Sequence, residues 1–334
     1  MKNRKIAGAI IFLAIQLFLL YVYSVIALRN VGEDATYNHS DFYECDENSI
    51  EVIFVGGSFS YCTFSPIELY ERYGISSYNF GTSNQYAISS YLWTLEASEY
   101  QDLKVVVLEA MTISMSHGNL GNDIRALSSM GISKNYLRLA LTYKRNAYNV
   151  LFPVFVLHDE WEINENTFSA SACAEESCLK GYVPLHSEAG SEYQDSILTG
   201  DETEDAYLKF TYVDKLREFC NENGIQLIIV KSLMASNESG SWSDGYHNRV
   251  AAYAEEYGIP FIDFNSQEYI DEIGFVIAED VAEDLRHMNV NGAGKATDFI
   301  GEYLTNMEGL ELNLYQNSQI DENVIALYYE TISD

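Results

Sequence analysis

Positive charge is scarce in this chain. Lysine and arginine number 19 against 50 aspartates and glutamates in 334 residues, a formal net charge of −31. A surface that acidic repels phosphate backbones, which excludes nucleic acid as a partner and discourages contact with bare anionic lipid. A cysteine framework is lacking too. Cys45, Cys62, Cys173, Cys178 and Cys220 form no metal-type doublet, and an odd number cannot all pair. Outside the cell, Cys173 and Cys178 are the two placed to close a small loop. No internal repeat is visible. The glycine-rich segment Gly56-Gly57-Ser58-Phe59-Ser60-Tyr61 has neither the third glycine of a dinucleotide fingerprint nor the lysine of a P-loop.

Apolar residues, by contrast, are plentiful. They make up 47% of the chain, enough for a core, and rule out wholesale disorder. Ile6 to Leu28 run almost unbroken, with Gln16 the main polar interruption. In a helix that run reaches about 34 Å, enough to cross a hydrocarbon core of about 30 Å. Lys2, Arg4 and Lys5 precede it and every acid follows it, so the positive-inside rule leaves residues 1–30 as cytoplasmic stub and transmembrane anchor. Residues 31–334 are then extracytoplasmic. The run is too long for a cleaved signal peptide, and Ser24-Val25-Ile26-Ala27 is a poor cleavage site. Asn38-His39-Ser40 and Asn237-Glu238-Ser239 match the glycosylation pattern, which has meaning only in a host with that pathway.

Beyond the anchor, strands and helices alternate. Glu51–Val55, Ser77–Phe80, Leu103–Glu109, Gln226–Lys231 and Pro260–Asp263 are short apolar runs, read as buried parallel strands. Helices are expected from Ser65-Pro66 to Arg72, over 86–98, 137–152, 206–223, 244–257 and about 293–306. This order means βαβ units and one parallel sheet covered on both faces, a three-layer α/β sandwich. Residues at about 110–205 are an insertion between the two halves of the sheet. An acidic tail starts at about 307, in which Val324–Tyr329 could add a strand.

In an open parallel sheet, ligands gather at the carboxyl ends of the strands. The first strand delivers Gly56-Gly57-Ser58-Phe59-Ser60 to that edge, where glycines permit a sharp turn and Ser58 stands on the rim. A nucleophilic serine needs a base. His39 is close to the anchor, His117, His158 and His186 fall in the insertion, and His247 sits on a helix as a surface residue. His287 follows the last strand in Asp284-Leu285-Arg286-His287, where Asp284 can orient the imidazole and stabilise its charged form. An ordinary glycine-rich turn and a capping aspartate are the plainer readings of each motif alone. The order, serine after the first strand and Asp with His after the last, favours a triad.

These blocks resemble the SGNH, or GDSL-type, hydrolase superfamily. Its Gly-Asp-Ser-x-Ser block is matched with Gly57 in place of aspartate, and its Asp-x-x-His block by Asp284 to His287. Its second block, Asn-x-x-x-Ser-Gly, is matched by Asn79-Phe80-Gly81-Thr82-Ser83-Asn84, with Asn84 at the oxyanion glycine. The third, Gly-x-Asn-Asp, is absent, since Glu109-Ala110-Met111-Thr112 follows the third strand. The resemblance implies a flavodoxin-like sheet and a triad of Ser58, His287 and Asp284. It also implies an oxyanion bound by the N–H groups of Ser58 and Asn84, and neither a metal nor an organic cofactor. Asparagine tolerates the positive φ such a position requires. The anchored layout is similar to DltD-like and alginate-acetylation-like members. It implies a membrane-anchored serine esterase or O-acyltransferase acting on acyl esters of an envelope polymer or glycan, beside a membrane-bound acyltransferase. The alternative is a non-catalytic binding or accessory protein of an envelope acylation system, which the missing third block favours.

Overall fold

The computed structural model describes residues 2–31, 36–114, 118–160, 179–190, 197–235, 242–314, 320 and 322–333. Its centre is a five-stranded parallel sheet of β1 (Val52–Val55), β2 (Ser77–Asn79), β3 (Val105–Glu109), β4 (Gln226–Lys231) and β5 (Phe261–Asp263). The strand order is β2-β1-β3-β4-β5, the flavodoxin-like order, with its switch point between β1 and β3. Val52 pairs with Val105, and Glu109 with Val230, so the carboxyl ends of the central strands are level.

The helices follow in chain order. They are α1 (Lys2–Val31), α2 (Ser58–Tyr61), α3 (Pro66–Tyr73), α4 (Ala87–Ala97), α5 (Met111–Ser114), α6 (Leu120–Ala126), α7 (Lys134–Thr142) and α8 (Ala147–Leu151). After the insertion come α9 (Thr211–Asn223), α10 (Asp244–Tyr257), α11 (Gln267–Ile273), α12 (Ile277–Asp280), α13 (Val290–Asn306) and α14 (Glu322–Ser333). Strand side chains alternate between the two faces. Ile53, Val55, Val106 and Leu108 pack with Leu92 and Trp93 of α4 and Leu216 of α9. Val52, Phe54, Val105 and Val107 pack with Leu69 of α3 and Ile300 of α13. Because both faces are covered, the strands read as unbroken apolar runs instead of alternating ones. Ser65 caps α3 as its sequence promised, accepting from the N–H of Glu68, and Gly74 ends it at φ 68°.

Several expectations need correction. Val324–Tyr329 is not a strand but part of α14. Val324 and Tyr328 recur at helical spacing with Ile320 and Ile332, and this stripe packs on Ile67, Leu179 and Tyr182. The helix expected from 206 begins at Thr211, and the one expected over 137–152 is two, α7 starting at Lys134 and ending at Thr142 and α8 running from Ala147 to Leu151. The anchor expected over residues 1–30 is the continuous helix α1, which exposes Ile10, Phe12, Leu13 and Phe18, but its end is not free to span lipid, since Ser24, Ile26, Ala27, Leu28 and Val31 are buried in the globular part. Asn38 is buried, with Oδ1 accepting from Ser40, so it cannot present its amide to a glycan. Asn237, Cys173 and Cys178 lie outside the described residues.

Candidate active site

The turn after β1 is set by close approach. A Cβ on Gly56 would stand 2.7 Å from Cβ of Glu109, so only glycine lets β1 pass the end of β3 there. Gly57 then caps α2, and Ser58 is its first residue. A first-turn N–H has no acceptor within its own helix, so the Ser58 amide is available to another group. Ser58 is half-buried and Phe59 and Ser60 are buried.

The last loop meets this turn. His287 Nε2 lies 2.6 Å from Ser58 Oγ, and His287 Nδ1 lies 2.5 Å from Asp284 Oδ2. Asp284 Oδ1 accepts from the backbone N–H groups of Arg286 and His287, each at 3.0 Å. Partial burial works against its charge, but the His287 ring and those two amides outweigh it and hold the carboxyl down at about 2. The loop is bent by Leu285, whose φ of 61° is left-handed, and whose carbonyl accepts from Ala235 after β4. The structure thus brings Ser58, His287 and Asp284 together. The other described histidines stand elsewhere. His39 is buried among Tyr78, Phe80 and Trp93, and burial lowers its pKa to about 3. His158 pairs with Asp159 on the surface, and His186 is exposed. His247, expected at the surface, is half-buried with Nδ1 2.8 Å from Asp263 Oδ2. His117 is outside the described residues.

The second block divides into structural and exposed parts. Asn79 is wholly buried, its side chain donating to the carbonyls of Ser60 and Phe64 and accepting from the Ser60 hydroxyl and the Gly81 N–H. It fastens the Ser58 turn to β2. Asn84 is exposed and left-handed, φ 53°, the conformation its position was expected to need. The amide nitrogen of Gln85, next in the chain, is 3.9 Å from where a Cβ on Gly57 would stand, so this loop borders the Ser58 turn.

Residues 179–190 strap the site's rim. Lys180 O accepts from Asn79 N, and Val183 N donates to Tyr61 O. Farther on, Asn289 donates to Ser187 O and Val290 N to Leu185 O. Gly181, at φ 80°, has its α-carbon so close to the Asn79 carbonyl that no side chain fits.

Three features were not foreseen in the sequence. Glu109 and Lys231 form a wholly buried ion pair at 3.3 Å beneath the turn. The Phe59 ring lies 4.8 Å from the His287 ring, one wall of the imidazole's seat. A half-open cavity of about 260 Å3 lies beyond the Asn84 loop, walled by Tyr86, Thr112, Tyr143, Lys209, Thr211 and Tyr212, among others. Tyr143 is fixed there by hydrogen bonding to buried Asp123, which also accepts from Ser89, and Tyr212 by Thr142 at 2.8 Å. A charged residue at the end of each of two neighbouring apolar strands was the one available signal for the ion pair.

No protein-family model and no curated protein matches the chain. Among solved structures it is similar to a protein of Bacteroides fragilis assigned as an acylhydrolase. The identity is 13%, with 77% of this chain and 88% of that one covered, at a TM-score of 0.36. It is also similar to a GDSL-like lipase of Bacteroides thetaiotaomicron, 11% identical over 81% of this chain and 97% of that one, at a TM-score of 0.38. At such distance the functional reading rests on the chain's own geometry.

Proposed function

We propose that the chain is a membrane-anchored, extracytoplasmic serine esterase or O-acyltransferase of SGNH type, acting on acyl esters of an envelope polymer or glycan. The observation that carries this is the run of contacts from Ser58 Oγ to His287 Nε2 and from His287 Nδ1 to Asp284. Ser58 Oγ attacks the ester carbonyl carbon while its proton passes to His287 Nε2. The bond to the leaving alcohol then breaks as His287 returns that proton to the departing oxygen. Water, or an acceptor hydroxyl in the transfer case, repeats the sequence on the acyl-enzyme with His287 as base. Asp284 keeps Nδ1 protonated and steadies the imidazolium. The amides of Ser58 and Asn84 serve as oxyanion donors.

A glycan fits the cavity's chemistry, since tyrosine faces cover sugar rings and threonine hydroxyls exchange hydrogen bonds with theirs. The anchor reading is supported by α1, which is long and apolar enough to cross a membrane. Ser83 N donates to the carbonyl of Thr36, a few residues past α1, so the Asn84 loop is tied to the chain where it leaves that helix. A substrate or acyltransferase partner at the bilayer surface would be within reach.

One observation favours the second reading, a non-catalytic binding or accessory protein. The end of β3 supplies no asparagine donor, and Thr112, in its place, bonds its hydroxyl to the Glu109 carbonyl. Labelling with a fluorophosphonate distinguishes the two. The esterase or transferase reading expects covalent labelling that Ser58→Ala abolishes, and an unreactive wild-type protein leaves only the binding role.

A further inference from the structure

The longest acid-free stretch of this acid-rich chain lies within its globular part. From residue 124 to 158 there is neither aspartate nor glutamate, while Arg125, Lys134, Arg138, Lys144 and Arg145 all fall within it. Arg125 is tied to Glu160 and Lys134 to Glu99. Lys144 and Arg145 are exposed and form no ion pair among the described residues. Directly after them come apolar side chains in water, Tyr148 at 54%, Leu151 at 45% and Phe155 at 49% exposure. The Tyr148 and Phe155 rings are 6.2 Å apart, so they share a face.

The place of this face matters as much as its composition. The buried end of α1 packs against the turns Ser128–Met130 and Pro153–Phe155. Asn30 donates to the carbonyl of Glu160 at 2.5 Å. The domain therefore grips α1 from about Ser24 onward, and the exposed apolar part before it, from Ile6 to Tyr21 and Tyr23, is about 27 Å long. That length matches a hydrocarbon core of about 30 Å, with the two tyrosines at the headgroup level. Tyr148, Leu151 and Phe155 stand on the elements that flank the grip.

We infer that the face formed by Lys144, Arg145, Tyr148, Leu151 and Phe155 lies on the outer surface of the same bilayer, with the apolar side chains among the upper acyl chains and the two bases on anionic headgroups. This rests on α1 being a membrane span. The rest of the domain repels an anionic surface, so the acid-free stretch is the side on which it can settle. Aromatic and leucine side chains beside basic residues are the composition that interfacial segments use. The stretch also supplies Thr142 and Tyr143 to the cavity wall, so lipid contact holds the cavity at a fixed height above the membrane.

The test uses the full chain in vesicles of phosphatidylcholine and phosphatidylglycerol, with lipids brominated on the acyl chain as quenchers. Tryptophan is introduced singly by Phe155→Trp or Leu151→Trp, by Ile11→Trp within α1, and by Tyr207→Trp, a site at 83% exposure outside the proposed face. The added emission of Phe155→Trp and Leu151→Trp should fall by about half or more, as should that of Ile11→Trp, while Tyr207→Trp stays bright. Removing phosphatidylglycerol, or adding Lys144→Glu with Arg145→Glu, should weaken quenching at 155 and 151 and spare Ile11→Trp. If both face probes stay as bright as Tyr207→Trp while Ile11→Trp is quenched, the inference is overturned and the anchor stands. If Ile11→Trp also escapes quenching, the anchor reading fails and takes this inference with it.

Discussion

Lys231 Nζ lies 4.1 Å from the centroid of the Phe59 ring, and Phe59 is the neighbour of Ser58 and the wall of His287. The ammonium is wholly buried, donates to the Ser232 carbonyl at 2.8 Å, and pairs with Glu109. Glu109 in turn accepts from the N–H of Met111 at 2.9 Å. Burial pushes the carboxyl up and the ammonium down, while each partner opposes the shift of the other. A buried pair of this kind contributes less to net stability than to holding one arrangement. Here that arrangement is the floor of the Ser58–Phe59 turn.

Breaking the pair from one side should therefore be costly. Lys231→Met strands a buried carboxylate, and chemical denaturation should show a loss of about 3–5 kcal/mol. The double variant Glu109→Gln with Lys231→Met should recover most of that loss, because no uncompensated charge remains. A double variant as unstable as the single one would show that Lys231 acts through packing on Phe59 alone.

Asp284 should matter through its charge. Asp284→Asn retains the shape but offers Nδ1–H a poorer acceptor, and should slow acyl-enzyme formation by about 10⁴. Because its carboxyl is held near 2, it stays ionised at every pH above roughly 4. Its contribution to stability is present above the unfolded value and lost as pH falls through the folded one. Any inactivation between neutrality and that point must then arise in another group.

The second histidine–aspartate pair gives a stability test of the opposite sign. Burial lowers the pKa of His247, but its bond to Asp263 and the nearby Asp244 charge overcome this and raise it. A raised value means the contribution is complete below the unfolded pKa and fades as pH rises through the folded one. His247→Gln should cost about 1–2 kcal/mol near pH 5 and distinctly less near pH 9. Thermal unfolding at the two pH values measures the difference, and equal losses would mean that the neutral hydrogen bond carries the whole effect.

Much of this arrangement is legible in the sequence because the physics behind it is local. Val52–Val55 and Val105–Glu109 are covered on both faces, so their apolar runs announce central strands, and Gly56-Gly57-Ser58 must follow at the edge. The Asp284–His287 turn is likewise self-contained, closed by its own backbone amides. What was not legible depends on contacts between distant segments. Glu109 and Lys231 are charged residues at strand ends, where solvent is the ordinary reading, and only the level register of β3 and β4 pairs them. The strap of 179–190 bonds to Asn79, Tyr61 and Asn289 through backbone groups, which leave no mark on residue type. The α14 stripe was read as a strand because a short apolar run suits both periods until Ile320 and Ile332 are included.

The oxyanion assignment is the most exposed part of the reading, and Asn84 decides it. Without an asparagine after β3, the proposed oxyanion donors are two backbone N–H groups, those of Ser58 at the start of α2 and of Asn84 at φ 53°. A lost donor typically costs about 10²–10³ in rate, so the protein should be a slow hydrolase, which suits an enzyme that must keep its acyl group from water until an acceptor arrives. If the Asn84 contribution is its main-chain N–H, Asn84→Gly should leave acyl-enzyme formation within a few-fold, because glycine adopts that φ without strain. Asn84→Pro removes the N–H and cannot reach positive φ, and should lose about 10²–10³. Ser58→Ala should abolish the reaction altogether. Burst kinetics with an activated ester measures all three, with thermal unfolding to confirm that each variant is folded. Should Asn84→Gly lose activity as completely as Ser58→Ala while unfolding at the wild-type temperature, the side chain is the essential group and the backbone assignment is wrong.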